Sequence, residues 1–177
     1  IEAFELTDHR NTLFTNKDLQ MRWSLIAYGY THCPDYCPVI LSTLSHVEKE
    51  LSSGGEFLDL NWLFYSVDHQ RDSVEQLAKY LSHFDTPYVG LTVLPGQLFK
   101  NFETGLGIYY EKDLSSEVKH KNHSGYIVNH SLMLLLINPQ GEFKAVLRPQ
   151  KQSDGGYAFS ADEILEDYLA IRRFARG

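Results

Sequence analysis

Cysteine is scarce in this sequence. The 177 residues contain two, too few for the disulfide framework of a small secreted scaffold. No such framework is needed, because a chain of this length buries roughly 70% of its unfolded surface on folding. Basic residues are also short: 16 Lys and Arg face 23 Asp and Glu, a net charge of −7. No Lys/Arg cluster offsets that balance, which argues against a nucleic-acid footprint. Long apolar runs are missing. The most apolar one, Leu132–Ile137, falls well below the roughly 20 residues of a membrane-spanning helix. Internal repeats, low-complexity tracts and inter-domain linkers are absent too, so residues 1–177 read as a single domain. No signal-peptide pattern stands at Ile1, which leaves a cytosolic protein or the trimmed part of a longer one. With 43% hydrophobic and 22% charged residues, the composition is that of an ordinary globular protein. Its chemistry must therefore be sought in particular residues.

Both cysteines fall in one stretch, Tyr30–Pro38, which reads Tyr-Thr-His-Cys-Pro-Asp-Tyr-Cys-Pro. The apolar run Trp23–Tyr30 leads in, and the helix-period segment Val39–Leu51 leads out. Cys33 and Cys37 each precede a proline, which pushes them towards extended geometry. The pair is therefore expected on a curved loop. Pro38 suits a first helical position, which makes Cys37 the expected N-cap. A thiol at a helix N-terminus has a lowered pKa, because free N–H groups favour the thiolate. Thiolate is both the nucleophile and the metal-binding form. Structural readings compete with this one. A disulfide between Cys33 and Cys37 would close so short a loop that it contributes only about 2 kcal/mol, and two inert core thiols are also possible.

Along the chain, Phe4–Thr7 and Thr12–Thr15 flank a polar turn and read as an N-terminal β-hairpin. Asn16–Met21 is a connector of about one helical turn. Trp23–Tyr30 is apolar on both faces, as a central strand is. In Val39–Leu51, Ile40, Leu41, Leu44, Val47 and Leu51 recur at helical spacing. Leu60–Val67 is a second buried strand, followed by a polar loop, Asp68–Asp72. Ser73 caps a helix to about Phe84, with Gln76 placed for a capping box. Pro87–Thr92 is extended, Gly96–Leu106 a helix of about three turns, and Ile108–Tyr110 a short strand. Glu111–Gly125 lacks apolar period and reads as a long exposed loop. Ile127–Ile137 reads as a central strand, turning at Asn138–Gly141 into a hairpin partner, Glu142–Leu147. Pro149–Tyr157 is a loop, and Ser160 opens a final amphipathic helix to about Arg176. This order gives an α/β sandwich with a mixed sheet. In such sheets function gathers at the carboxyl ends of strands, where Cys33, Cys37 and Asp68 all fall.

A metal would need a further ligand. Of the eight histidines, His9, His46 and His83 occupy turn or helix-surface positions. His120 and His123 lie in the exposed loop. His32 alternates away from its neighbour Cys33, and His69 is a weak candidate beside Asp68. His130 opens the buried run Leu132–Ile137. On position alone it is either a satisfied core histidine or a ligand.

These residues carry a resemblance. Thr31–Pro38, then Ser66-Val67-Asp68 with Arg71-Asp72, then Val128-Asn129-His130-Ser131, then Asn138–Phe143 resemble, in order, the segments of the Sco/SenC family. Members of that family are copper-handling assembly proteins of cytochrome c oxidase. The resemblance implies a thioredoxin-like three-layer sandwich with helices on both faces of the mixed sheet, and copper held by Cys33, Cys37 and His130. Two departures stand out. Asp68-His69-Gln70-Arg71-Asp72 replaces the family's usual Asp-Pro-Glu-Arg-Asp, and Asn129 stands where an Asp often precedes the histidine. Neither removes a ligand.

Two thiolates and an imidazole suit Cu(I), for which three soft ligands suffice; structural zinc usually takes four. The expected function is therefore a copper chaperone for the dinuclear copper centre of the oxidase. The alternative is a thiol–disulfide oxidoreductase in which Cys33 and Cys37 are the catalytic redox pair. A peroxiredoxin-like peroxidase is a distant third. Expected partners are the copper-centre subunit of the oxidase, and other copper chaperones or thioredoxin-like reductants. The resemblance also implies an N-terminal membrane anchor missing from this chain. It points to the bacterial periplasm before the mitochondrial intermembrane space.

Overall fold

Two largely apolar strands organise the molecule, as seen in a computed structural model that describes residues 1–55, 57–113, 126–153 and 155–176. Strand β3 (Trp23–Gly29) and strand β4 (Leu60–Ser66) run parallel, pairing from Trp23↔Leu60 to Gly29↔Ser66. Both are buried on both faces because layers cover each side. Around them stand β1 (Glu5–Asp8), β2 (Leu13–Thr15), β5 (Val89–Thr92), β8 (Leu134–Ile137) and β9 (Phe143–Leu147). The order across the sheet is β2-β1-β5-β4-β3-β8-β9. The pairs β3–β4 and β4–β5 are parallel; β1–β2, β1–β5, β3–β8 and β8–β9 are antiparallel. The sheet is therefore mixed, and the N-terminal hairpin is one of its edges.

One face packs on helices α1 (Tyr36–Gly54), α2 (Val74–Leu81) and α4 (Ala161–Arg176). Leu41, Leu44, Val47 and Leu51 of α1 meet Leu25 and Ala27 of β3 and Trp62 and Phe64 of β4. Their spacing is the helical period read from the sequence. Gly55 ends α1 in the left-handed conformation, at φ 69°, which glycine adopts without steric cost. The alternate residues of the same strands, Ile26, Tyr28, Leu63 and Tyr65, face the opposite layer. There they meet α3 (Lys100–Leu106) through Phe102 and Leu106, and the hairpin through Phe4 and Leu6. Among the described residues no helix is long and apolar enough to cross a membrane.

Several boundaries differ from the sequence reading, each for a local reason. The helix expected from Gly96 starts at Lys100. The preceding segment is engaged elsewhere: Leu98 accepts from the Glu5 N–H, and the Gln97 amide donates to Thr7 Oγ1. Ser73 caps α2 by accepting from the Gln76 N–H. Gln76 does not reach back to close a capping box; its side chain donates to Thr31 Oγ1 at 3.2 Å. The strand expected over Ile127–Ile137 is two strands, β7 (Ile127–His130) and β8. Only β8 is buried throughout; β7 alternates, with Val128 alone buried. That alternation marks a half-exposed ribbon, and β7 pairs with β6 (Tyr110–Asp113) rather than with the main sheet. Glu111–Asp113, expected as loop, thus belongs to β6, and the rest of that expected loop, 114–125, lies outside the described residues. Within the expected loop Pro149–Tyr157, β10 (Gln150–Lys151) pairs with β11 (Tyr157–Ala158).

Arg172 ties α4 to the start of the sheet. It is 5% exposed and lies over the rings of Trp23, Phe57 and Tyr168, at 5.0, 4.5 and 5.4 Å. It donates to Asp59 Oδ1 at 2.6 Å and to the Tyr168 hydroxyl. Desolvated cation–ring contacts of this kind are each worth up to about 2 kcal/mol. Arg172→Ala is expected to cost about 2–3 kcal/mol, read as a lower urea midpoint with an unchanged slope.

Candidate metal centre

The site is built where β3 and β4 end. Gly29 and Ser66 are the last register pair, and the Val67 N–H donates to the Gly29 carbonyl at 2.8 Å. Beyond them the chain leaves as two loops, one carrying the cysteines and the other carrying Asp68 and Asp72.

Cys37 lies inside the first turn of α1 and is 1% exposed. It is not the N-cap. That position belongs to Asp35, whose side chain makes no capping hydrogen bond. A sulfur stands in for it: the Cys37 N–H donates to Cys33 Sγ at 3.4 Å. The thiol favoured by the helix N-terminus is therefore Cys33, not Cys37. Gly29 makes room for this arrangement. A Cβ there would stand 2.4 Å from Cys37 Sγ, so the sulfur packs directly on the strand backbone. A lone glycine in a buried strand is the sequence signal for such close approach, and the reading of Trp23–Tyr30 passed over it.

Both cysteines are free thiols. The hydrogen bond from the Cys37 thiol lowers the Cys33 pKa to about 4, against the opposing effect of burial; the His130 side chain and the backbone N–H groups of Cys37 and Asp35 add to the lowering. Cys37 moves the other way. Its hydrogen bond to Cys33 and its burial push its pKa far up. The two opposite shifts favour the proton on the inner sulfur and the thiolate on the outer one.

His130 ends β7, and its ring stands 5.6 Å from the Tyr28 ring and 6.2 Å from the Tyr30 ring, centre to centre. Its Nδ1 lies 3.1 Å from the Ser131 carbonyl. A carbonyl only accepts, so Nδ1 is the nitrogen that donates to it, and Nε2 is the ring nitrogen left towards the cleft. Such a backbone contact orients an imidazole for metal binding. His130 and Cys33 line one open cleft of about 580 Å³, with Tyr30, Asp35, Val128 and Tyr157 among its walls. Cys37 lies beneath Cys33. Among the described residues, no three His, Cys, Asp or Glu side chains already surround a single point closely enough to hold a metal. Cys33 and His130 thus share one cleft, with Cys37 buried against Cys33, and no finished cage is formed among the described residues.

The other expected candidates are occupied elsewhere. His9 accepts from the Gly90 N–H through Nδ1 at 3.0 Å. His46 and His83 line a polar cleft with Lys49 and Asp85. His32 is engaged with Thr31 Oγ1 at 3.2 Å. His69 packs among Tyr65, Phe99 and Tyr110 in the opposite layer. His120 and His123 lie outside the described residues. Asp68 does not face the sulfurs either; it accepts from the Tyr126 hydroxyl at 2.5 Å and from Arg71.

Comparison with known proteins agrees with the geometry. The SCO1/SenC family matches residues 1–162. The chain belongs to the SCO1/SenC family. The human mitochondrial SCO1 homolog is 36% identical over 140 residues, which cover 79% of this chain and 44% of that protein. The chain thus spans about half the length of the curated relatives it matches. Two solved SCO1/SenC structures with copper bound have this fold. ScoI of Arabidopsis thaliana is 27% identical with a TM-score of 0.79, covering 97% of this chain and 96% of that one. ScoI of Bradyrhizobium japonicum is 28% identical with a TM-score of 0.73 and the same coverage. The thioredoxin-like three-layer sandwich expected from the resemblance is therefore the fold of this chain.

A folded-state pKa below the ordinary thiol value means that Cys33 is a thiolate above that pKa and is lost as pH falls through it. Alkylation of the reduced protein by iodoacetamide is expected to be flat from neutral pH to about 5. It should reach half its plateau near pH 4. An ordinary thiol would show half its plateau near pH ~8.5.

Proposed function

We propose that this protein is a copper chaperone, built as a single domain over residues 1–177, that binds copper through Cys33, Cys37 and His130. Its cargo is delivered to the dinuclear copper centre of cytochrome c oxidase, with the copper-centre subunit as partner. One observation carries the reading. Cys33, with its pKa lowered, and the His130 imidazole line one open cleft beyond the ends of β3 and β4, and the buried Cys37 lies directly against Cys33, its N–H donating to the Cys33 sulfur. Two sulfurs and one nitrogen form a soft donor set suited to Cu(I). Zinc would need a fourth ligand, and Asp68 is held by Tyr126 and Arg71. The copper-bound relatives support the choice of metal. A site on two separate arms also suits a carrier, since it can open to a partner's ligands. Other copper chaperones or thioredoxin-like reductants are further proposed partners. The proposed compartment is the bacterial periplasm, with an inner-membrane anchor. It rests on the family resemblance, and the mitochondrial relatives make the intermembrane space the other candidate.

A second reading has its own support. A thiolate on the outer cysteine and a thiol on the inner one is the division of labour that dithiol exchange requires. His130 separates the two, because exchange does not need it. Anaerobic Cu(I) titration against a competing chelator tests the main reading. Reduced protein is expected to bind one Cu(I) per chain and oxidised protein almost none, since a disulfide removes both thiolates. His130→Ala is expected to weaken binding at least ten-fold, about 1.4 kcal/mol. A His130→Ala protein that loses copper, keeps disulfide exchange and still supports oxidase assembly would favour the oxidoreductase.

The split between the sulfurs predicts a proton count. Metal binding requires deprotonated thiols. At neutral pH Cys33 has already lost its proton and Cys37 has not. Cu(I) binding is expected to release about one thiol proton per chain, measured calorimetrically in buffers of different ionisation enthalpy. Release of two would show that Cys33 is an ordinary thiol.

A further inference from the structure

The turn between β4 and α2 buries two carboxylates that the site does not use as ligands. Asp68 and Asp72 are both 0% exposed. They are held in one tight turn, in which the Arg71 and Asp72 N–H groups both donate to the Asp68 carbonyl at 3.0 Å. From this turn the two side chains reach in different directions.

Asp72 reaches the cysteine loop. It accepts from the Thr31 N–H at 2.9 Å, from Thr31 Oγ1 at 2.7 Å and from Ser66 Oγ at 2.6 Å. Its own carbonyl accepts from Thr92 Oγ1 at 2.9 Å, which anchors the turn to β5. Thr31 lies two residues before Cys33, so this carboxylate holds the start of the cysteine arm.

Asp68 reaches the ribbon that carries His130. Its Oδ1 accepts from the Tyr126 hydroxyl at 2.5 Å and stands 3.6 Å from Lys112 Nζ. Lys112 is on β6, and Tyr126 immediately precedes β7. The Arg71 guanidinium donates to Asp68 and lies 3.9 Å from the centre of the Tyr126 ring. The β6–β7 ribbon is a separate two-stranded sheet. Its attachment to the body includes Val128 and Tyr110 in the apolar layer, the rings around His130, and this cluster. Ser66 joins the two halves, donating to Asp72 and accepting from the Asp68 N–H at 3.1 Å.

A buried ion cluster is a poor source of stability, because desolvation offsets most of its attraction and apolar packing often does as well. What such a cluster supplies here is geometry. We propose that the Asp68–Asp72 turn acts as a yoke. Asp72 positions the arm bearing Cys33, Asp68 positions the arm bearing His130, and the turn sets how closely the arms approach and how tightly they hold a soft metal ion. This rests on the copper reading above. Asp68, Asp72, Thr31, Lys112 and Tyr126 are positioning residues, since none is assigned to the metal itself.

The test uses two conservative variants of the reduced protein, Tyr126→Phe and Thr31→Val, each alone and with His130→Ala. Phe keeps the ring beneath Arg71 and removes only the hydroxyl; Val keeps the shape of Thr31. The probe is Cu(I) with a competing chelator. Tyr126→Phe is expected to weaken binding about ten-fold, to reduce the imidazole contribution to the copper X-ray absorption spectrum, and to leave the sulfur contribution unchanged. In the His130→Ala background it should cause no further loss, because the arm it positions no longer carries a ligand. Thr31→Val should weaken binding in both backgrounds. Amide exchange at Ile127–His130 in the metal-free protein should speed up in Tyr126→Phe and stay unchanged in Thr31→Val. Variants that match wild type in affinity, or a Tyr126→Phe loss that is the same with and without His130, would overturn the yoke. Wild-type protein that takes up no Cu(I) would sink the copper reading, and the yoke with it, before any variant is measured.

Discussion

The contact between Cys37 Sγ and the backbone of Gly29 is the constraint from which the rest of the site follows. With no side chain at Gly29, the first turn of α1 can sit close against the end of β3 and bury one sulfur. The second sulfur is then left outside, over the Cys37 N–H. The hydrogen bond to Cys33 and burial favour the proton on the inner thiol, while hydrogen bonds favour the outer thiolate. One steric vacancy thus decides which sulfur is buried and which faces the cleft.

The parallel pairing of β3 and β4 has a second consequence. Parallel strands deliver both of their following loops to the same end of the sheet. The cysteine loop and the Asp68–Asp72 turn therefore meet, and buried carboxylates bridge them. Burying Asp68 and Asp72 is costly unless every lone pair finds a donor. Thr31, Ser66, Arg71 and Tyr126 supply those donors. The carboxylates are satisfied, although one buried Arg71 nitrogen, Nη2, has no hydrogen-bond partner among the described residues.

The same geometry serves either proposed chemistry of the cysteine pair. An outer thiolate beside an inner thiol can take a soft metal or attack a disulfide. What distinguishes the cleft is the third arm. The β6–β7 ribbon lies off the main sheet and brings His130 to the cleft with Nε2 directed by a contact to the Ser131 carbonyl. A ribbon attached by side chains moves more readily than a strand in a continuous ladder. That fits the proposed site, in which Cys33 and His130 line one cleft and no closed cage is formed among the described residues.

Local signals were enough for the parts of the fold that local physics controls. Two apolar runs specified β3 and β4, helical spacing specified α1, and Ser73 specified the start of α2. The cysteine spacing and the order of family-like segments singled out Cys33, Cys37 and His130. What the sequence could not decide depended on contacts distant along the chain. Proline positions placed Cys37 at the cap, but packing on Gly29 drew it into the helix and gave the cap to the sulfur of Cys33. Apolar content joined Ile127–Ile137 into one strand, but pairing with Tyr110–Asp113 pulled β7 away from the sheet. Gln76 looked like a capping-box partner until Thr31, 45 residues away, offered a better acceptor. Asp68 and Asp72 looked like a polar loop and are fully buried. Their partners lie in segments that meet only once the sheet has formed. Residue types and periodicity set which chemistry was available, and tertiary packing decided which atoms carry it.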